Sequence, residues 1–529
     1  MKLNGKSLIG GSLGEGRGET WQATNPATGE ELEPVFYAET LEGLDRAVAL
    51  AEDAFVTYGE SSGDERAKFL RAIADEIDAV EDAIVSRMTA ETALPEGRCR
   101  GEKGRTVGQL RMFADLVEEG SWVDARIDRA QPDREPAPKP DLRSMERPLG
   151  PVAVFCASNF PLAYSVAGGD TASALAAGCP VIVRAHSAHP GVAEIVGRAI
   201  QKAVISCQLP EGVFSLVFDD GIQLGEAIAK HPGITAIGFT GSRKGGRALM
   251  DYAAARPVPI PVYAEMSSIN PIFILPGALA ERGVEIGDGL VGSVSLGVGQ
   301  FCTSPGLVFL PGEGDDAFVT QVSKGLSAVE PITMLHQGIA QNFRVGVSEM
   351  ANQQRVTKVT EVPSEDGSGK GAPVVFRAPV AEFLSNSALS SEMFGPATVL
   401  VDCDSADDYL AAADALEGQL TATVHGTEED LANAKPLLNM LSKRAGRLVI
   451  NGFPTGVEVC PSIVHGGPYP ATSDGRTTSV GTRAITRFSR LVAWQDCPEN
   501  LLPVDLQSAN LSGIWRIVDG KFSKKALSS

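Results

Sequence analysis

Several features that mark common protein classes are missing from this sequence. Basic residues are outnumbered, with 46 Lys and Arg against 66 Asp and Glu and a formal net charge of −20. That balance argues against a nucleic-acid-binding surface, although local arginines and helix N-termini can still hold a small anion. Histidine is scarce, at six residues, and no HExxH pattern occurs. The eight cysteines (Cys99, Cys156, Cys179, Cys207, Cys302, Cys403, Cys460 and Cys497) are scattered singly. Neither close metal-ligand spacing nor a disulfide framework is indicated, so no metal is expected. The most apolar stretches are broken by Gly, Pro or polar residues before they reach bilayer-spanning length. Met1-Lys2-Leu3-Asn4-Gly5 lacks the apolar run of a signal peptide. Together these absences lead us to expect a reduced, cytoplasmic setting with no membrane partner. Repeats and low-complexity domains are missing too.

What is present reads as a folded α/β protein. At 529 residues the chain exceeds one ordinary core, so two large domains are expected. The first 45 or so residues read as short strands and turns, with Asn25-Pro26-Ala27-Thr28-Gly29-Glu30 as a tight connection. Ser62 and Glu65 then have capping-box spacing, and Phe69, Leu70, Ile73 and Ile77 repeat on one face of the helix that follows. Residues 131–140 form a polar, proline-rich excursion. From Gly150 the pattern becomes strand–helix alternation. Val152 to Phe155, Val181 to Val183, Val213 to Phe218 and Ile234 to Phe239 are apolar strand candidates, separated by helix-compatible runs. This order predicts a mostly parallel sheet covered on both faces, of Rossmann type. A second α/β unit is expected around Cys302, and Thr482 to Ala493 reads as an edge strand or interface element.

No GxGxxG follows the first strand of the alternation. Instead Phe239-Thr240-Gly241-Ser242 ends a strand and opens a helix. Gly241 permits close backbone approach, and Ser242 with the helix-start N–H groups can meet a pyrophosphate. The same residues equally describe a turn with a capping serine. Cys302, in Gly299-Gln300-Phe301-Cys302-Thr303, has the chemistry of a nucleophile, but most cysteines are simply small buried side chains. Glu265, at the end of Val262-Tyr263-Ala264, reads as a pocket base or as an ordinary acid. Asn159, in Ser158-Asn159-Phe160-Pro161, reads as an oxyanion donor or as a turn residue.

Taken together, Asn159, Glu265 and Cys302, with Thr240-Gly241-Ser242 and Glu392-Met393-Phe394-Gly395-Pro396, resemble the aldehyde dehydrogenase superfamily over nearly the whole chain. The resemblance implies a cysteine nucleophile (Cys302), a base for thioester hydrolysis (Glu265) and an oxyanion site (Asn159 with the Cys302 N–H). It implies coenzyme contacts from Arg184, Ser187, Gly241, Ser242, Glu392 and Phe394. Arg184 stands where relatives carry a lysine, and Glu265-Met266-Ser267-Ser268 replaces the usual Glu-Leu-Gly-Gly. The absence of an acid at Ser187 implies NADP in preference to NAD, with NAD accepted. His186 is a further candidate there. Implied domains are a cofactor domain (1–121 and 151–265), a catalytic domain (266–480), a small β oligomerisation module (122–150 and 481–498) and a C-terminal extension (499–529). Such a module implies a homodimer or homotetramer.

Further blocks narrow the resemblance: Ser158 to Ser165, Gly168-Gly169-Asp170-Thr171, Tyr263 to Pro271, and Val464-His465-Gly466-Gly467-Pro468. They are similar to the branch that oxidises 2-oxoglutarate semialdehyde (2,5-dioxopentanoate), and also to NADP-dependent fatty-aldehyde dehydrogenases. The first substrate carries a distal carboxylate. Arg111 is the candidate to bind it, Arg105 a weaker one, and Phe160 a wall of the substrate pocket. A non-catalytic role for the fold is the remaining alternative.

Overall fold

The computed structural model describes residues 2–312, 316–360 and 369–527. Five short strands build its first sheet: β1 (Val152–Phe155), β2 (Val181–Arg184), β3 (Phe214–Val217), β4 (Ala236–Thr240) and β5 (Val262–Glu265). They lie parallel in the order β5-β4-β1-β2-β3, and an antiparallel pair near the N-terminus, Leu8–Ile9 and Ser12–Leu13, extends the β3 edge. Strands buried on both faces need uninterrupted apolar runs, which is what Val-Ala-Val-Phe and Val-Ile-Val supply.

The helix over Gly63–Asp78 begins at the expected cap, with Ser62 and Glu65 exchanging side-chain and backbone bonds. Phe69, Leu70, Ile73 and Ile77 are fully buried along its inner face; each contributes about 1.5–3 kcal/mol by leaving water. A 24-residue helix, α1 (Glu96–Glu119), packs beside it. It starts after Pro95 and stops at Gly120, whose φ of +80° suits a residue without a Cβ.

The second sheet contains β6 (Ile272–Ile274), β7 (Leu307–Pro311), β8 (Val374–Pro379), β9 (Ala397–Cys403), β10 (Gln419–His425) and β11 (Ala445–Ile450). These six are parallel in the order β8-β9-β7-β6-β10-β11, with a short antiparallel strand, Thr357–Lys358, outside β8. The change of sheet falls between Glu265 and Ile272, beside the expected domain division.

A third, five-stranded sheet collects Ser489–Gln495, Leu142–Pro148, Arg126–Asp128, Arg516–Val518 and Lys521–Ser523, in that order. The expectation of a separate C-terminal extension is corrected here. Arg516–Val518 runs parallel to Arg126–Asp128 and completes the small sheet, and Ile514 and Leu506 are buried in the module's core. Strands of three residues between polar turns leave almost no periodic signal, which is why the sequence pattern did not show them.

Candidate active site

In the first sheet the chain runs outward from β1 to β2 and β3 on one side, then returns to place β4 and β5 on the other. At such a reversal the loops after neighbouring strands diverge and leave a crevice. A cavity of about 200 Å³ opens there, lined by Ser158 and Asn159 after β1, Thr240, Gly241 and Ser242 after β4, and Glu265 from β5. The second domain supplies the opposite wall through Cys302, Glu392 and Phe394.

Three reactive groups converge in this cavity's wall. The Cys302 Sγ lies 3.4 Å from His465 Nε2, and the same nitrogen lies 3.0 Å from a Glu265 carboxylate oxygen. All three ligand atoms fall within 4.8 Å of one another. Ser479 Oγ donates to the other Glu265 oxygen at 2.8 Å. Burial alone would raise the Glu265 pKa, but His465, the Ser479 hydroxyl and the Cys302 thiol outweigh it and hold the carboxylate below its ordinary value. Burial, then the negative charge of Glu265, push the Cys302 thiol well above its usual range, with Arg105 working weakly the other way. A protonated thiol therefore stands beside an ionised carboxylate and an imidazole. This arrangement can form a thiolate by short proton transfer as an electrophile arrives.

The loop carrying Cys302 is fixed from below. Asn270 Nδ2 donates to the carbonyls of Cys302 (2.8 Å) and Ser304 (2.9 Å), while Ser268 and Thr421 hydroxyls donate to its Oδ1. Gly299, at φ +64°, passes so close to Gly395 that a Cβ would sit 2.3 Å from that residue's backbone. The Asn159 side chain donates to the Gln300 carbonyl at 3.2 Å, two residues before Cys302, and both Asn159 and Cys302 line the cavity. The turn carrying Asn159 is held in turn by buried Glu102, which accepts the N–H groups of Leu162 (2.9 Å) and Ala163 (3.0 Å).

On the far side of the cavity Ser242 caps helix α2 (Arg243–Ala254), accepting from the Gly245 N–H at 3.2 Å. A Cβ on Gly241 would meet the Phe239 ring at 2.7 Å, so the glycine is required by its own strand end. Arg184 leaves the end of β2 and donates to Asp219 (3.1 Å) and the Gly221 carbonyl (2.6 Å). Burial lifts the pKa of Glu392 to about 7, with Ser267 and Ser268 working the other way.

Comparison with known proteins places this geometry. The profile described as "Aldehyde dehydrogenase family" matches residues 14–479. The chain belongs to the aldehyde dehydrogenase family. It is 50% identical over 523 residues to alpha-ketoglutaric semialdehyde dehydrogenase 2 of Azospirillum brasilense, covering 98% of this chain and 100% of that protein. It is 43% identical over 519 residues to the alpha-ketoglutaric semialdehyde dehydrogenase of Acinetobacter baylyi, covering 98% of each. Betaine aldehyde dehydrogenase from Staphylococcus aureus, solved in complex with NAD+, shares the fold with a TM-score of 0.79 at 19% identity, covering 94% of this chain and 96% of that one. An NADP-dependent enzyme of E. coli does so with a TM-score of 0.78 at 21% identity, over 93% and 98%.

Of the residues singled out from the sequence of this aldehyde dehydrogenase, Asn159, Glu265, Cys302, Gly241, Ser242, Glu392 and Phe394 line one cavity. Ser187, partly buried, lies just beyond Arg184 at the end of β2. Phe160 is buried against Phe301 and Tyr164, with ring centroids 5.4 and 5.2 Å away. Arg111 does not join them. It is exposed on α1 and bonds Asp75 (3.0 Å) and Asp78 (2.8 Å) of the neighbouring helix. The reason is helical geometry: six residues at 3.6 per turn set Arg111 about 120° around α1 from Arg105. Arg98, Glu102 and Arg105, at i, i+4 and i+7, form the stripe that faces the site, a polar stripe at core spacing that the sequence does display. His465 is the functional candidate that reasoning from motifs did not assign. Its signal was the block Val464-His465-Gly466-Gly467, read only as a family match.

Proposed function

We propose that this enzyme oxidises 2-oxoglutarate semialdehyde to 2-oxoglutarate with a nicotinamide coenzyme, using Cys302 as the nucleophile. The observation that carries the chemistry is the thiol, carboxylate and imidazole within 4.8 Å of one another at the switch-point cavity. The 50% and 43% identity to alpha-ketoglutaric semialdehyde dehydrogenases over 98% of the chain supports the substrate.

The thiol proton passes to His465 or Glu265 as sulfur adds to the aldehyde carbon. The Asn159 amide and the Cys302 N–H donate to the oxygen that becomes negative. A bound nicotinamide coenzyme supplies the hydride acceptor. After oxidation the acyl group is a thioester on Cys302, and Glu265 takes a proton from water as that water attacks the carbonyl carbon. The C–S bond breaks and sulfur regains a proton. Glu265 must be unprotonated for this second half. His465, in contact with both Sγ and the carboxylate, gives the first proton a place to go that leaves Glu265 free.

The cavity fits such a coenzyme. Its helix-start N–H groups at Ser242 suit a pyrophosphate, and Glu392, a half-desolvated acceptor, suits ribose hydroxyls. NADP ahead of NAD is the favoured order, because no carboxylate occupies position 187 to repel a 2′-phosphate. Arg184 is partly neutralised by Asp219, which makes the preference moderate and leaves NAD usable. A homodimer or homotetramer is supported by Ser489–Gln495, an edge strand with Leu491 62% exposed.

The deciding experiment compares kcat/KM for 2-oxoglutarate semialdehyde, succinate semialdehyde and medium-chain aldehydes. The five-carbon 2-oxo acid is expected to lead. A clear preference for uncharged long-chain aldehydes overturns the substrate. Solution mass at several concentrations checks the assembly, and a persistent monomer rejects it.

A further inference from the structure

Two arginines near Cys302 have no acidic partner among the described residues. Arg105 on α1 donates to the Val457 carbonyl (3.1 Å) and to the Tyr164 hydroxyl oxygen (3.3 Å). Arg447 on β11 donates to the carbonyls of Pro454 (2.6 Å) and Gly456 (3.1 Å). In both, Nε is buried without a hydrogen-bond partner. Among the described residues no carboxylate lies within ion-pair distance of either one. Their neighbour Arg98 is different, since Glu102 neutralises it at 2.6 Å. Neutral carbonyls satisfy N–H groups but leave a half-buried charge uncompensated, which is costly unless an anion arrives.

The two guanidiniums come from different domains and hold the same loop, 454–457, from its two sides. Val457 of this loop and Val459 just after it pack with Phe160, Tyr164 and Phe301. A chain of contacts connects that wall to the sulfur. Cys302 Sγ is 3.4 Å from His465, the His465 ring is 6.1 Å from the Tyr164 ring, and the Tyr164 oxygen is 3.3 Å from Arg105. Arg447 reaches the same wall through the loop, bonding Pro454 and Gly456 next to Val457. Arg105 also lies 5.8 Å from the Phe160 ring centroid and 5.6 Å from that of Tyr164.

We infer that Arg105, Arg447 and Tyr164 form the subsite that selects a 2-oxo acid aldehyde, the arginines taking its carboxylate and the Tyr164 hydroxyl its 2-oxo oxygen. This rests on the substrate proposed above. An arginine carries five N–H donors, and the loop carbonyls and Tyr164 leave Nε and others unspent on each. Tyr164 accepts from Arg105, which leaves its own proton to donate to a ketone oxygen. Phe160 and Phe301 cover the two methylenes between. In 2-oxoglutarate semialdehyde the carboxylate carbon is four C–C bonds, of about 1.5 Å each, from the carbon that sulfur attacks. A thiol and a cationic wall with aromatic rings packed between them match that substrate better than an unbranched neutral chain, which would leave both charges bare.

The test is a three-substrate comparison in Arg105→Gln, Arg447→Gln, the two Lys variants and Tyr164→Phe. The substrates are 2-oxoglutarate semialdehyde, 5-oxopentanoate (equal length, no 2-oxo group) and pentanal. Each Gln variant is expected to lose about 100-fold in kcat/KM on both acids, chiefly through KM, but no more than about 3-fold on pentanal. Lysine should restore part of the loss. Tyr164→Phe should cost about 10-fold on the 2-oxo acid alone. Calorimetry adds a readout free of turnover: 2-oxoglutarate should bind Cys302→Ala, and about 100-fold more weakly once either arginine is also replaced by Gln. Equal losses on all three substrates, or undiminished 2-oxoglutarate binding, overturn the subsite while leaving the oxidation itself standing. A wild-type preference for pentanal over both acids overturns the substrate reading instead. Retained activity on pentanal shows that a variant is folded.

Discussion

The two sides of the reactive cysteine are built from different materials. The proposed coenzyme side consists of strand ends and small residues: Ala157, Ser158, Thr240, Gly241 and Ser242. What they offer a ligand is mostly backbone. The opposite side is bulky and charged, with Phe160, Phe301 and Tyr164 packed beneath Arg98 and Arg105, and Arg447 bonded to the adjoining loop. A ligand common to many enzymes can be held by main chain, whose geometry depends on the fold. A ligand particular to one enzyme must be recognised by side chains, which can change without disturbing the sheet. Cys302, Glu265 and His465 stand between the two sides, where both depend on them.

The strongest challenge to that division is Cys302→Ala. Aldehyde-dependent coenzyme reduction should fall by at least about 10⁴-fold, and activity near the starting level would remove the sulfur from its central place. Next come its two neighbours. Glu265→Gln should slow steady-state turnover by about 10²–10³-fold while sparing the first burst of reduced coenzyme. His465→Gln should slow the burst itself, by about 10²-fold. Rapid-mixing kinetics separates them, and identical effects on both phases would merge the two roles. On the coenzyme side alone, Ser187→Glu should shift kcat/KM selectivity about 10-fold toward NAD, by setting a carboxylate against the 2′-phosphate. No shift would move the determinant elsewhere in the pocket.

Smaller still is a pH effect on stability. The pKa of Glu392 is raised in the fold to about 7 from an ordinary 4.5, so folding favours its protonated form. That contribution is complete below about 4.5 and is lost as pH rises through about 7. Glu392→Gln cannot titrate. Without coenzyme, it should therefore gain about 1–2 kcal/mol over the unchanged enzyme between pH 5 and pH 8, allowing for the side chain's partial exposure. Urea unfolding at the two pH values measures this, and parallel curves would refute it. The smallest effect belongs to Arg111→Ala. Since Arg111 pairs with Asp75 and Asp78 on the surface, kcat/KM for acidic and neutral aldehydes should each stay within about 2-fold.

The same contrast explains what could be read from the sequence. The parallel strands of the first sheet were legible because each is a short, mostly apolar run that opens just after Gly or Pro. Asn159, Glu265 and Cys302 were ambiguous singly and became legible only as a set, together with Thr240-Gly241-Ser242 and Glu392-Met393-Phe394-Gly395-Pro396. Their shared cavity follows from strand order, as Thr240 pairs beside Glu265 across β4 and β5. Arg447 was invisible because its relation to Arg105 exists only across two domains, through the loop that both arginines bond. Arg184 was read as free to meet a phosphate, whereas Asp219, 35 residues later, already holds it. Between Arg105 and Arg111 the sequence contained the answer, and only the angular position on the helix had to be worked out.

Buried Asp170 and Arg487, paired at 2.7 Å across 317 residues, have a consequence for how the enzyme is made. The ribosome releases a chain from its N-terminus, so Asp170 waits for its counter-charge until most of the protein exists. Glu265 waits likewise, for His465 and Ser479. The first sheet can assemble early, but the carboxylate that must sit beside the sulfur acquires its neighbours among the last parts to emerge. During synthesis the reactive cysteine is present before the machinery that controls its proton, and the two meet only when the C-terminal segment docks.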